Sequence, residues 1–266
     1  MSKEAKRLFK HLKNKNRTVK DFMTIVNKNN SSADIYLYGD IVSSEWDKWT
    51  NQDVAPEDVR EFLSSINGVK NLNVYINSAG GSVFAGTNIY TMLKRHEATV
   101  TVHIDGVAAS IASIIAMAAD RLVMYENAYL MIHKPMVGAW GNAHELRKAA
   151  DTLDALENGL INAYEGKLAE GANIDDVRAM VDAETWLDGK TAAKYFDIEL
   201  LGASEAVASG SEFLNEYKSI PDGLEFDTKE AEPPEEVVEP EVTPEETRTS
   251  EEIEQIKNKL RLFELI

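Results

Sequence analysis

An α/β fold built on a mostly parallel sheet is what this sequence predicts, and three observations carry the prediction. Short apolar stretches with strand character recur at 33–41, 72–78, 99–106 and 121–133. Segments of helical spacing lie between them, long enough to cross back over a sheet. Small-residue turns stand where a strand hands over to a helix, at Ala79–Ser82 and Gly106–Ser110. In sheets of this kind, ligands gather at the carboxyl ends of the strands.

The elements follow in order. The N-terminal segment has weak helical spacing at Leu8, Leu12, Val19, Phe22 and Ile25, and ends in the polar run Asn27–Ser32. ADIYLYGDI alternates Ile35, Leu37 and Ile41 with tyrosines and turns at Gly39-Asp40. Pro56, Glu57 and Asp58 open the helix PEDVREFLSSI, with proline and acids in the first turn. LNVYINS (72–78) is a compact buried strand, and after AGGS comes a helix with Ile89, Met92 and Leu93 on one face. TVTVHIDG (99–106) is the next strand, and AASIASIIAMAA (108–119) reads as a buried helix. RLVMYENAYLMIH gives two short strands around Glu126-Asn127. A polar helix from Asn142 to Glu170 follows, then two shorter helices in IDDVRAMV and DGKTAAKYF.

With 266 residues, 44% of them hydrophobic, the chain can form one sizeable core plus extensions. It has no cysteine, which excludes disulfides, thiolate metal sites and a cysteine nucleophile, and suits a reducing compartment. No apolar run approaches the roughly 20 residues that span a bilayer. The basic N-terminus lacks the apolar core of a secretory signal, so a soluble intracellular protein is expected.

The net charge of −17 is unevenly spread. Residues 1–28 carry nine Lys/Arg against two acids, whereas residues 222–252 carry thirteen acids against two bases. The expected organisation is a basic extension over 1–32, a folded domain over 33–208, an acidic Pro/Glu-rich unfolded linker over 209–249 and a helix over 250–266. In that helix Ser250 can cap, and Ile253, Ile256, Leu260 and Phe263 form a stripe that needs another surface to bury it.

Two turns carry the candidate chemistry. Ser110, in GVAAS, can be a helix cap, a small packing residue or a nucleophile. The helix after it aims N–H groups and a positive dipole end at whatever binds there. The stretch is not a G-x-S-x-G elbow, because Gly106 is four residues upstream and Ala112 stands where the second glycine would be. The other turn, NSAGGS (77–82), has consecutive glycines that admit positive φ and close backbone approach. It is either an ordinary tight turn or a source of N–H donors for an oxyanion.

A nucleophilic serine needs a base. Of the five histidines, His11, His96, His103 and His144 lie in polar or mid-strand settings, whereas His133 ends an apolar strand just before Pro135. Glu184 and Asp182, in VDAETWLDG, are the acids available to orient it. No metal-ligand spacing such as H-E-x-x-H appears, so neither metal nor cofactor is assigned.

Taken together, Asn77-Ser78-Ala79-Gly80-Gly81, Ala85-Gly86, GVAAS (106–110), MIHKP (131–135) and ETWLDGKTA (184–192) carry a resemblance. They resemble the Clp protease proteolytic subunit family, and more closely its phage branch of head maturation (prohead) proteases, over about Ile35 to Gly202. The resemblance implies a ClpP/crotonase-like fold, with stacked turns of mostly parallel sheet and helices packed outside. It implies a Ser-His-acid endopeptidase with an ATP-independent core, in which Ser110 is nucleophile and His133 general base. Gly81 and Ile111 would supply the oxyanion N–H groups. Gly80 would line the substrate, and Met136, Val137 and Gly138 would flank it as an edge strand that binds extended peptide through its main chain. The family's usual acid is an aspartate two residues before an aromatic. That position is Glu184, favoured on register, with Asp182 in reserve. Where the family usually has proline between Ser78 and Gly80, this chain has Ala79.

The resemblance further implies a ring of identical subunits acting on a capsid or scaffold polypeptide in the host cytoplasm or procapsid interior. The helix at Ile253–Ile266 would dock on that partner or on its own copies. The basic N-terminus would meet an acidic tail or nucleic acid, while the core would bind neither nucleic acid nor membrane. Three rival readings stand beside this one. They are an enoyl-CoA hydratase-like enzyme on the same general fold, a Ser-Lys peptidase using Lys134, and a non-catalytic capsid scaffold.

Overall fold

The computed structural model describes residues 31–50, 52–203, 208–209, 211, 213–214, 217–221, 224 and 226–227. The basic segment 1–28 and the helix expected at 250–266 lie outside the described residues, as does most of the expected 209–249 linker.

Alternating side chains build the sheet. Strand β1 (Ser32–Tyr38) buries Ala33, Ile35 and Leu37 on one face and turns Asp34, Tyr36 and Tyr38 to the other. It runs parallel to β2 (Asn71–Ser78), which runs parallel to β3 (Thr99–Ala109). Strands β4 (Arg121–Tyr125) and β7 (Ile198–Leu201) complete the order β1-β2-β3-β4-β7, every pairing parallel. On the polar face, Tyr36, Tyr75 and His103 stand in register and stack, with ring centroids 4.7 and 4.8 Å apart.

The strand leading to Ser110 is longer than the sequence predicts, because β3 changes partner partway along. Its first half, Thr101–Ile104, pairs with β4, and its end, Val107–Ala109, pairs with β5 (Tyr129–Ile132). Between them the register against β2 slips: Ile76 faces Ile104, but Ser78 faces Ala108. The two extra residues bend β3 away from β4. The ladder gap is filled by Asn77, whose Oδ1 accepts the Val107 N–H at 3.1 Å. Strand β6 (Thr185–Asp188) closes this second layer antiparallel to β5. The result is the expected α/β architecture, stacked turns of mostly parallel sheet.

Helices α1 (Pro56–Ser65), α2 (Val83–Lys94) and α3 (Ile111–Ala116) pack on the apolar face, where Val59, Phe62, Ile89, Leu93 and Ile115 meet Ile35, Val74 and Ile104. Burying each such side chain contributes about 1.5–3 kcal/mol. Helix α3 is shorter than the helix expected over 108–119, since Ala108 and Ala109 stay in the strand. Helix α4 (Ala143–Glu165) begins at a cap made by Asn142 and ends before the expected Glu170. There the chain turns off at Gly166 so that Ala169 N–H can reach the Tyr195 carbonyl. Helices α5 (Ile174–Ala183) and α6 (Gly189–Ala192) flank β6. Among the described residues no helix is long and apolar enough to cross a membrane.

One part of the expected linker departs from prediction. Leu214 is buried, and Ser211 Oγ donates to Asp40 Oδ1 at 2.5 Å. Tyr217 and Leu224 pack against Val107, Ala109 and Met131. Of the described residues in this stretch, the apolar Leu214, Tyr217 and Leu224 meet the domain.

Gly86 sets how closely α2 approaches α3, since a Cβ there would lie 2.2 Å from Ile111 Cγ1. Gly86→Val is expected to destabilise the chain by about 1–3 kcal/mol, read as a lowered midpoint in urea unfolding. An unchanged midpoint would contradict this close packing.

Candidate active site

Two non-glycine residues have positive φ among the described residues, Ser110 (φ 53) and Glu184 (φ 54), and both lie at one site. Conformations of this kind typically cost about 1–3 kcal/mol and persist only where their surroundings impose them. At Ser110 the surroundings are identifiable. Its N–H donates to the Met131 carbonyl at 2.9 Å, extending the β3–β5 ladder by one step. Its carbonyl accepts the Ser113 N–H at 3.0 Å and the Ser113 hydroxyl at 2.5 Å. Ser113 in turn lies 2.6 Å from the Tyr164 hydroxyl of α4. The peptide of Ser110 is therefore held from both sides.

The Ser110 side chain makes no capping bond to α3. Its hydroxyl stands instead 2.7 Å from His133 Nε2. The geometry is thus against the helix-cap alternative. His133 follows β5, and β5 lies beside the end of β3, so the sheet itself brings the two side chains together.

Glu184 reaches the same place through β6. The pairing of Ile132 with Thr185 carries on to bring the residues just outside the ladder, His133 and Glu184, near each other. Glu184 is 7% exposed, and its Oε1 accepts the Lys218 N–H. No hydrogen bond joins it to the ring among the described residues, and it acts on His133 through charge. Burial holds the His133 pKa below the ordinary histidine value, opposed by the Glu184 carboxylate and reinforced by Lys218. The ring is also packed edge-on by Tyr217, with centroids 5.4 Å apart at 73°.

Asp182, the reserve acid, is not brought to the site. Its side chain is 60% exposed and pairs with Lys134 Nζ at 2.7 Å. Lys134 also approaches Glu157 at 3.5 Å, so this lysine is engaged on the outside and is not turned toward Ser110. That arrangement disfavours the Ser-Lys reading.

The glycine turn faces Ser110. Ile41 N–H donates to the Gly80 carbonyl and Ser82 N–H to the Ile41 carbonyl, each at 2.7 Å. In a parallel ladder these flanking bonds leave the middle residue's N–H on the opposite side, and that residue is Gly81. No hydrogen bond among the described residues uses the N–H of Gly81 or of Ile111. The turn requires glycine twice. Gly80 and Gly81 have φ of 107° and 134°. A Cβ on Gly80 would lie 2.8 Å from Ser110 Cβ, and one on Gly81 would lie 2.2 Å from the Ile41 carbonyl oxygen. Ala79 is accommodated, buried, and Ser78 Oγ accepts the Gly80 N–H at 3.1 Å.

Beside the turn lies an open cavity of about 620 Å³, lined by Gly81, Val83, Phe84, Met136, Val137 and Phe213 among others. The edge strand expected after His133 is not formed. Residues 134–141 have no regular structure, Met136 and Val137 are exposed, and a Cβ on Gly138 would meet nothing. Pro135 removes a ladder donor, and among the described residues no strand pairs with the segment. Among the described residues no group of three His, Cys, Asp or Glu side chains is placed to hold a metal.

Serine, Ser113, and its partner Tyr164 escaped the sequence reading, as did Tyr217 and Lys218. Ser113 had a visible signal, standing three residues after Ser110 where one helical turn brings it back. Tyr217 and Lys218 had none, since they lie in a stretch whose composition reads as linker.

Fold and site together define a mixed α/β chain with a serine–histidine contact at adjoining strand ends. The chain belongs to the Clp protease family, whose family model, described as Clp protease, matches residues 21–198. Among similar proteins is the ATP-dependent Clp protease proteolytic subunit of Bacteroides fragilis, 32% identical over 136 residues. The match covers 50% of this chain and 65% of that relative. The protein of the same name from Ligilactobacillus salivarius is 33% identical over 138 residues, 50% of this chain and 68% of the relative. The proteolytic subunit 1 of Salinibacter ruber is 27% identical over 136 residues, 50% of this chain and 58% of the relative. The chain thus spans roughly 58–68% of these curated relatives.

The charge balance at His133 has a measurable consequence. Its imidazole is expected to titrate below the ordinary value of about 6.5 in an NMR pH series. Glu184→Gln, which removes the charge that favours protonation, is expected to lower the midpoint further. A midpoint that rises in the variant would contradict this account.

Proposed function

We propose that this chain is a serine endopeptidase in which Ser110 is the nucleophile, His133 the general base and Glu184 the acid. The observation that carries the reading is the 2.7 Å contact of Ser110 Oγ with His133 Nε2, beside two uncommitted N–H groups. Ser110 Oγ attacks the scissile carbonyl as its proton passes to Nε2. The oxyanion is met by the N–H groups of Gly81 and Ile111, and loss of one such donor typically costs about 10²–10³ in rate. The imidazolium then gives its proton to the leaving amine. Water hydrolyses the acyl-enzyme by the same route in reverse. Glu184 stabilises the imidazolium through its charge.

The substrate is a polypeptide held against the open segment Met136–Gly138 and the Gly80–Gly81 turn, main chain to main chain. The subunits assemble as a ring. Large exposed apolar side chains support a need for further cover: Trp140 is 97% exposed, and Leu146 lies exposed near the start of α4.

Within this class we assign the chain to phage head maturation, cleaving a capsid or scaffold protein in the host cytoplasm or in the procapsid interior. Support comes from the sequence motifs and from the acidic extension with its terminal amphipathic stripe, a suitable tether for delivery. A second reading, an enoyl-CoA hydratase-like enzyme, also uses paired backbone donors for an acyl oxyanion but has no need of the Ser110–His133 contact.

The test uses purified full-length chain. A fluorophosphonate probe is expected to label Ser110, and Ser110→Ala to abolish labelling and lower peptide hydrolysis by about 10⁴-fold or more. Incubation with phage capsid and scaffold proteins is expected to give discrete cuts that Ser110→Ala does not make. An unlabelled native chain would refute the peptidase reading, while labelling without capsid cleavage would refute only the maturation role.

A further inference from the structure

We infer that Tyr217, together with the Lys218 backbone, is a positioning element of this site, supplied by a segment beyond the family match at residues 21–198. The inference rests on the peptidase reading and extends it to a part of the chain that the reading does not use. Two consecutive residues touch three parts of the site. The Tyr217 ring packs edge-on against His133 and, with centroids 6.0 Å apart, against Trp186. Its hydroxyl donates to the carbonyl of Ala79, the residue before the Gly80–Gly81 turn. The Lys218 N–H donates to the buried Glu184 carboxylate.

Each contact meets a need that the rest of the site leaves open. A carboxylate as buried as Glu184 requires hydrogen-bond donors, or it becomes a costly isolated charge. Lys218 N–H supplies one. The His133 ring needs a wall to fix its plane, because the aromatic contact on it comes from Tyr217. The glycine turn and the histidine belong to different strands, and Tyr217 spans them with a single rigid side chain. It therefore fixes the distance between the base and the oxyanion donors, the quantity on which a near-attack geometry depends.

The same segment does not act as a plug. Among the described residues, its hydrogen bonds to the rest of the domain include those to Asp40, Ala79 and Glu184, and no hydrogen bond takes the N–H of Gly81 or Ile111. Phe213 lines the neighbouring cavity, which stays open. The segment thus meets the site through His133, Ala79 and Glu184 while Phe213 borders the cavity beside the turn.

The experiment measures inactivation of the full-length chain by a fluorophosphonate probe across pH, separating the probe's binding constant from the inactivation rate constant. Tyr217→Phe keeps the ring and removes the hydroxyl. It is expected to lower the rate constant by about 3–10-fold with unchanged binding. Tyr217→Leu removes the wall as well. It is expected to lower the rate constant by about 100-fold and to move the acid limb of the profile to higher pH, as His133 gains access to water. Thermal unfolding of both variants is followed in parallel. Native rate constants and an unmoved acid limb in both variants overturn the inference, including when only the unfolding midpoint falls. A faster Tyr217→Leu also overturns it, since that is the signature of a lid. A native chain that does not react overturns the peptidase reading and this inference with it, which separates the two failures.

Discussion

The constraint on which the rest of this structure depends is the way β3 ends. A strand that pairs with β4 along its first half and with β5 along its last three residues must bend between them. The extra residues opposite β2 supply that bend. Beyond the bend the chain reaches Ser110 still tied to β5 through its N–H, and Ser110 takes φ 53, ψ −126. In this conformation the hydroxyl makes no capping bond to α3 and stands 2.7 Å from His133 Nε2. A serine at an unstrained start of α3 would fold its hydroxyl onto the first-turn amides as a cap.

The surroundings that tolerate this strain also do the positioning. Gly80 leaves just enough space for Ser110 Cβ, Gly86 for Ile111, and Ser113 with Tyr164 holds the Ser110 carbonyl. The second residue of positive φ, Glu184, is instead the left-handed cap that ends α5 just before β6. The antiparallel pairing of β6 with β5 then carries the acid to the histidine. Two separate backbone irregularities converge because both flank β5. The sheet topology does this work, and the side chains alone do not.

Much of this was legible in the sequence, for reasons that are local. The alternation in ADIYLYGDI, the glycine pair at 80–81 and the apolar strand ending at His133 each follow from rules spanning a few residues. The choice of Glu184 over Asp182 rests on the position two residues before the aromatic Trp186 that the family resemblance implies, and the structure places Asp182 outside, on Lys134. Two expectations differ from the structure. The helix expected from Ala108 rests on local composition, and the edge strand expected after His133 is what the family resemblance implies for a bound peptide. In the first, strand pairing with β5 overrides helical propensity. In the second, no strand among the described residues pairs with residues 134–141.

By itself, the sequence determined the fold class, the order of strands and helices, and the residue types available for acyl-transfer chemistry. These depend on periodicity and on steric properties of single residues, such as glycine's access to positive φ. The tertiary structure alone decided that Ser110 has positive φ and contacts His133, that no hydrogen bond among the described residues uses the Gly81 N–H, and that Tyr217 and Lys218 contact His133 and Glu184 from a stretch that reads as linker. Such facts depend on contacts between residues up to 138 positions apart, as between Ala79 and Tyr217, and no window along the chain contains both partners.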